Sequence, residues 1–412
     1  MDKIKLGFLG LGQRGRGLIT NVLGNFPDVD IVAVCDEYKD RTEDEAKRIL
    51  EARGTEPAKY LHHSELLSDP NVNTVIISAS WEAHIPLAIE AMKKGKICGL
   101  EVGGGYSVDD CWQLVRTWEE TKTPFMFLEN CCYGKDELIA TRMVRQGKLG
   151  EVVYAHGSYC HDLRWEICSG VKIRHYRLRN YMHRNCENYP THELGPIAKV
   201  LNINRGNRMV SLTATASCSR GLNEFLKREK GDEYDIANYP FAQGDVVTTV
   251  IKCAHGETIV LTLDTTLPRY YSRNFTIRGT RGMYSEEDRS IFIDGVHNKD
   301  EGNWQNQWGN ADQYRDEYEH PIWRKFINDG IRGGHGGMDA LVFDAFFTAL
   351  MEGQPVPIDV YDMAAWMSIS ALSEESIALG GAAVAIPDFT NGQWLYRDEE
   401  PDWEFCLSKI CE

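Results

Sequence analysis

The chain has 412 residues, 42% of them hydrophobic and 26% charged, a balance that excludes a disordered chain and asks for two or three cores rather than one. Its 61 Asp and Glu outnumber 45 Lys and Arg for a net charge of −16, so nucleic acid is repelled over most of the surface and small neutral partners are favoured. No apolar run reaches the length of a membrane span, and the first residues enter a strand pattern directly, so the expectation is a cytoplasmic protein without membrane insertion.

Residues 3–9, 31–35, 73–78, 97–100 and 124–128 are short apolar runs, and helical patterns at 15–23, 40–53, 82–95 and 107–120 alternate with them. Strands alternating with helices predict a doubly wound parallel sheet, a Rossmann domain over residues 1–130. The pattern then changes. A helix over 135–146 leads into segments at 151–159, 208–217, 245–253, 257–264, 274–279 and 290–294, many of period two. Residues 131–412 are therefore expected to form an α+β domain with a largely antiparallel open sheet, followed by helices at 338–352 and 361–379. The irregular stretches 162–190 and 296–322 are rich in Tyr, Trp, Arg and His, and loops of such length line functional sites. Twelve cysteines are scattered without a pair at zinc-site spacing, the usage of reduced thiols.

Gly10-Leu11-Gly12-Gln13-Arg14-Gly15 follows the first strand and opens a helix. In such a turn the first glycine permits the bend, the second admits a pyrophosphate close to backbone, and the third lets helix and strand pack. The helix start then offers N–H groups to phosphate. The second strand ends in Asp36, 21 residues after Gly15, where a carboxylate accepts ribose hydroxyls and repels a 2′-phosphate, favouring NAD over NADP. Arg14 is the nearby cation that would receive such a phosphate, which leaves NADP open at this point.

Ser80-Trp81-Glu82-Ala83-His84, followed by Glu101 after the next strand, resembles the Gfo/Idh/MocA oxidoreductase superfamily. That superfamily usually carries Glu-Lys-Pro at the last point, the lysine assisting hydride transfer, whereas this chain reads Glu101-Val102-Gly103. The resemblance sharpens to the NAD-dependent α-N-acetylgalactosaminidases of glycoside hydrolase family 109, in which a valine likewise follows the glutamate. The supporting blocks run from Leu128-Glu129-Asn130-Cys131-Cys132-Tyr133-Gly134 through Tyr159-Cys160-His161-Asp162 and Asn188-Tyr189-Pro190-Thr191-His192 to Gly334-His335-Gly336-Gly337-Met338-Asp339, most of the chain. What the resemblance implies is hydrolysis by transient oxidation: hydride leaves sugar C3 for NAD, the C2 proton is removed, the aglycone is eliminated, water adds and the hydride returns. Such enzymes need no opposed carboxylate pair.

By the same resemblance Tyr159 is the C2 base and His192 its companion, while Arg177, Tyr189 and Tyr271 contact the sugar; Glu129 joins them because it ends the strand leaving the Rossmann domain, where ligands of α/β sheets gather. Gly10, Gly12, Gln13, Arg14, Gly15, Asp36, Trp81, His84, Glu101, Val102, Asn130 and Tyr189 contact NAD. A phenol with a pKa near 10 needs cations nearby to act as a base, and Lys172, Arg174, Arg177 and Arg179 supply them in sequence. The superfamily has an aspartate four residues before the histidine. Asn188 stands there instead, so His192 is expected to position a sugar hydroxyl rather than relay a full proton. His335 and Asp339 stand four apart but among glycines and without a second ligand pair, so no metal is expected. Trp304 and Trp308 suit either sugar stacking or subunit contacts. The expected partner is a small-molecule or glycan-terminal sugar, the expected assembly a homo-oligomer. Two rival readings remain at this point, a sugar dehydrogenase or ketosugar reductase with dissociable NAD(H), and a non-enzymatic dinucleotide-binding sensor.

Overall fold

The computed structural model describes residues 3–298, 308–397 and 402–407. The chain begins with β1 (Lys5–Leu9), α1 (Gln13–Asn25), β2 (Asp30–Cys35), α2 (Lys39–Arg53), β3 (Ala58–Tyr60) and α3 (His63–Ser68). Next come β4 (Thr74–Ile77), α4 (Trp81–Lys93), β5 (Ile97–Leu100), α5 (Val108–Thr121), β6 (Phe125–Phe127) and α6 (Lys135–Arg145). There follow β7 (Val152–Cys160), α7 (Arg164–Cys168), α8 (Gly170–Ile173), α9 (Arg177–His183), α10 (Thr191–Val200), β8 (Met209–Ala216) and α11 (Gly221–Lys230). After them stand β9 (Val246–Cys253), β10 (Thr258–Asp264), β11 (Thr276–Gly279), β12 (Gly282–Ser285) and β13 (Ser290–Ile293). The last elements are α12 (Arg315–Tyr318), α13 (Pro321–Asn328), α14 (Met338–Glu352), α15 (Val360–Ala378) and β14 (Val384–Ala385). They form two compact units, one of residues 1–133 with 325–364, the other of 134–324 with 365–412.

The first unit holds a six-stranded parallel sheet in the order β3-β2-β1-β4-β5-β6. Its central strands are covered on both faces, so they read as unbroken apolar runs; all four residues of β4, Thr-Val-Ile-Ile, are buried. Strand order reverses between β1 and β4, the switch point where ligands of such sheets gather. α14 returns from far along the chain to cover this unit: Phe26, just past α1, meets Phe347 edge-on at 5.1 Å between ring centroids. Asn21 Nδ2 of α1 donates to the Asp339 carbonyl at 3.1 Å, and the Phe127 N–H of β6 donates to the Ile358 carbonyl at 3.0 Å. β3 and α3 were not anticipated, because three residues and six residues are too short to show a period.

The second unit is built on an eight-stranded sheet in the order β13-β12-β11-β7-β10-β9-β8-β14, antiparallel except for the parallel β7–β10 pair. β10 alternates strictly, with Ile259, Leu261 and Leu263 buried and the residues between them only half-buried. α10 is buried along all ten residues and lies so close to β7 that a Cβ on Gly157 would fall 2.8 Å from the Glu193 carbonyl oxygen. The stretch 162–190 contains three short helices, α7 to α9, rather than an irregular loop. At four to seven residues each, none carries a full apolar stripe that a sequence could display. β12 likewise emerges as a four-residue strand where no segment was singled out.

No helix among the described residues is long and apolar enough to cross a membrane. The eleven described cysteines are free thiols, and burial raises several of them, Cys35 and Cys111 to about 12.

Candidate active site

In the first unit β1 delivers the chain into a turn at Gly10, where φ is +92° and a Cβ would fall 2.6 Å from the Ala79 backbone. A Cβ on Gly15 would lie 2.1 Å from the Gly10 oxygen, so α1 seats against the turn only with glycine there. Asp36, just past β2, accepts the Leu11 N–H at 2.8 Å and the Tyr38 N–H at 3.0 Å, which ties it to the glycine turn. The first turn of α1 has no acidic residue and no capping side chain, the condition under which helix N–H groups receive phosphate. Asn130 donates to Asp339 Oδ1 at 2.7 Å, while its own buried Oδ1 meets no donor. A glycine cradle, an uncapped helix start and an orphaned amide oxygen all fit a dinucleotide.

Arg14 turns out to be committed elsewhere. Its guanidinium donates to Glu101 Oε1 at 2.8 Å and to both Asp339 oxygens at 2.8 and 3.0 Å. Burial alone would lower its pKa, but the two carboxylates outweigh that and hold it charged above its ordinary value. Burial likewise pushes the Asp339 carboxyl upward, yet hydrogen bonding to His335 and the Arg14 charge hold it below the usual carboxylate range. The His335 Nδ1–Asp339 Oδ2 contact, 2.9 Å, thus belongs to an ion-pair network around Arg14. The arginine beside Asp36 is instead Arg41, 3.4 Å from Oδ2 and over the Tyr38 ring. Arg41 was missed in the sequence, although its place in the first turn of α2 was the available signal.

The remaining residues named for this unit gather around α4 and β5. Trp81, the first residue of α4, and Val102 are buried, while Gln13 is exposed at the start of α1. His84 has Nδ1 2.9 Å from the Gly103 carbonyl and Nε2 3.1 Å from the Ala79 carbonyl, and its N–H donates to one of them beside the loop after β5; burial lowers its pKa. Glu129 is fully buried past β6, its Oε1 accepting the Cys131 N–H at 3.0 Å.

In the second unit β7 ends beside the start of α10, and this junction assembles aromatic and imidazole rings. Tyr159 lies 4.4 Å from Tyr189 and 5.5 Å from His192 between centroids, and His192 meets Tyr189 edge-on at 4.8 Å. Arg177 of α9 stands 5.0 Å from the Tyr189 ring centre and hydrogen-bonds the Tyr159 phenol. His161 continues the series, 6.0 Å from Tyr159 and 5.3 Å from half-exposed Tyr271. It had not been singled out, although it follows Tyr159 by two residues in extended chain and so shares its face. Asn188 spends its Nδ2 on Gln243 Oε1 at 3.2 Å. Of the two tryptophans, Trp308 is 74% exposed and Trp304 lies outside the described residues.

Burial pushes the Tyr159 phenol up to about 12, although Arg177 pulls the other way. Burial outweighs that pull, and Tyr181 and then Glu166 of α7 add to the rise: Glu166 takes Arg177 Nε at 2.7 Å, and its charge raises the phenol further. Removing that charge with Glu166→Gln is expected to lower the Tyr159 pKa. Spectrophotometric titration of tyrosinate, with Tyr159→Phe as the subtraction, reads the shift; an unchanged midpoint would refute the coupling.

Residues 4–127 match the model of an oxidoreductase family with an NAD-binding Rossmann fold, and residues 133–396 match that of the glycosyl hydrolase 109 C-terminal domain. An α-N-acetylgalactosaminidase of Tannerella forsythia is 39% identical, with 96% of this chain and 88% of that protein covered. A glycosyl hydrolase family 109 protein of Parabacteroides distasonis is 36% identical over 97% and 89% respectively. Among solved structures, a levoglucosan dehydrogenase complex with NADH superposes with a TM-score of 0.67 at 18% identity, covering 93% of this chain and 100% of that one. A scyllo-inositol dehydrogenase of Lactobacillus casei with bound NAD(H) superposes at 0.65 and 14%, covering 93% and 99%; at such identities the likeness is one of fold. A domain match across most of the second unit, joined to relatives that align along nearly the whole chain, establishes that the chain belongs to glycosyl hydrolase family 109.

Proposed function

We propose that this chain hydrolyses terminal glycosides, an α-linked N-acetylgalactosaminide by default, through transient oxidation of the sugar with NAD as a recycled cofactor. Residues 1–130 are assigned to NAD and 131–412 to the sugar. The observation that carries the reading is the Tyr159–Tyr189–His192 cluster beside Arg177, within the span matched by the hydrolase family. The Tannerella forsythia relative's name supports the default sugar.

NAD, when bound, would supply a reversible hydride acceptor for sugar C3. The residues that would hold it are Gly10, Gly12, Gln13, Arg14 and Gly15 at the turn, Asp36, Trp81, His84, Glu101, Val102 and Asn130, with Tyr189 beside the sugar. A ketone at C3 acidifies the C2 hydrogen. The Tyr159 phenolate, stabilised by Arg177, takes that proton while the C1–O bond breaks and its electron pair leaves with the aglycone. Water then adds its oxygen to C1 of the resulting alkene while its released proton goes to the departed aglycone oxygen, and Tyr159, its proton exchanged with solvent, protonates C2. His192 orients a sugar hydroxyl by hydrogen bonding, and Glu129, Arg177 and Tyr271 hold the ring through charge-assisted bonds and a flat apolar face.

The test is incubation of nitrophenyl α- and β-glycosides with the protein in deuterated water. Release of nitrophenol with deuterium at C2 and no net NADH is the expected result. Net NADH without cleavage would replace the reading with a conventional dehydrogenase, and no reaction on any sugar would leave a binding protein.

A further inference from the structure

Two buried carboxyls flank the Tyr189–His192 turn, and neither meets a cation. Glu187 and Glu193 are 0% and 1% exposed. Glu187 lies two residues before Tyr189 and accepts its N–H on Oε1 at 3.3 Å; Glu193 directly follows His192 and accepts the Thr262 N–H of β10 on Oε2 at 3.2 Å. That leaves Glu187 Oε2 and Glu193 Oε1, both buried and both without an N–H or O–H donor, while the two carboxyls lie within hydrogen-bonding reach of each other. Two carboxylates so placed repel. One proton between them turns both orphaned oxygens into a donor–acceptor pair.

We propose that Glu187 and Glu193 share a single proton and act as a clasp that closes the segment from 187 to 193 into a ring, holding Tyr189 and His192 in place against Tyr159. The surroundings agree. The Glu187 N–H donates to Ser373 Oγ of α15 at 2.9 Å, and the titratable neighbours are Cys186 and Tyr181 beside Glu187 and Cys160 of β7 beside Glu193. All three are groups that burial pushes upward, so they stay neutral and bring no cation. Burial raises both carboxyls, Glu187 to about 8 and Glu193 well above the carboxylate range, so the two are never charged together at neutral pH. Glu187 is thus raised above its unfolded value, and the stability its proton confers is fully present below about 4.3 and lost as pH rises through about 8. An ionised Glu187 then accepts the proton that Glu193 keeps. These are positioning residues, and their link to catalysis rests on the reading of Tyr159, Tyr189 and His192 given above.

The deciding experiment uses the intact chain and two isosteric variants, Glu187→Gln and Glu193→Gln, in which an amide N–H replaces the shared proton permanently. An infrared spectrum at pH 7 is expected to show a protonated-carboxyl band that shifts in deuterated water, weakens but persists above about pH 8 and loses intensity in each variant. Glu137, also buried and raised to about 7, contributes its own band, which the two variants leave untouched. The His192 Cε1–H resonance, assigned with His192→Gln, lies in the ring currents of Tyr159 and Tyr189 and is expected to move near pH 8 in the native chain but not in Glu193→Gln. Full band intensity in both variants overturns the shared proton, and a His192 shift that survives Glu193→Gln overturns the clasp. Neither spectroscopic readout needs turnover, so a chain that cleaves no glycoside would sink the glycosidase reading and leave this one to be judged separately.

Discussion

Tyr159→Phe is expected to lower kcat for glycoside cleavage by about 10²–10⁴-fold, the usual worth of a positioned general base, while NAD affinity stays unchanged. The substitution removes one oxygen from a ring whose packing on Tyr189 and His192 survives. The pH dependence carries the stronger argument. If Tyr159 is the base as proposed, the active species is the phenolate, and with a midpoint at about 12 its fraction grows tenfold with each pH unit below that. The native rate should therefore climb with pH through the neutral range, and the Phe variant's residual rate should be flat there. Nitrophenol release between pH 5 and 8, with NAD binding measured by calorimetry, checks both. A variant that keeps more than about a tenth of the activity, or keeps the climb, would remove Tyr159 from the role of base.

Arg14→Met carries the largest expected effect on stability, about 3 kcal/mol lost, read as a lower urea midpoint at unchanged slope. The change strips the cation from two carboxylates that are each 4% exposed, Glu101 and Asp339. Since Glu101 stands at the end of β5 among the residues assigned to NAD, cofactor affinity should fall as well. A double-mutant cycle with Asp339→Asn should show coupling of about 0.5–3 kcal/mol, as for residues of one ion-pair network. Coupling near zero would mean that Arg14 is free in solution to serve another ligand, a 2′-phosphate included. With Arg14 clamped, the groups left to decide between NAD and NADP are the Asp36 carboxylate and Arg41 beside it.

Much of the fold was legible because its strands are of two kinds that sequence separates well. The central strands of the first sheet are largely apolar, those of the second such as β10 alternate, and the switch near residue 130 marks the change from one sheet to the other. The glycine turn was legible because Gly10 and Gly15 answer steric demands that no other residue meets. Partnerships at a distance were not legible. Nothing in Arg14 announces Asp339, 325 positions away, and Arg177 shows a charge without showing that Glu166 holds it. Short helices failed for a related reason: α7 to α9 take their place from contacts with other elements, such as the Tyr181 hydroxyl on Thr265 at 2.6 Å, and not from any period of their own. The clasp glutamates were hidden in plain view, since an acid in a sequence reads as solvated surface until its burial is known.

The return of residues 325–364 to the first unit imposes an order on the protein's birth. On the ribosome the dinucleotide-binding sheet is finished by about residue 127, yet Phe26 waits for Phe347 and Arg14 for Asp339 until some two hundred further residues have been made. At about 5–20 residues per second that interval is about 10–40 s, long beside the folding time of most single domains. Throughout it the nascent sheet carries an uncovered apolar face and a half-neutralised guanidinium, the state a chaperone recognises. A chain released early at residue 133 would carry every glycine of the cofactor turn and still lack the helix that completes its core.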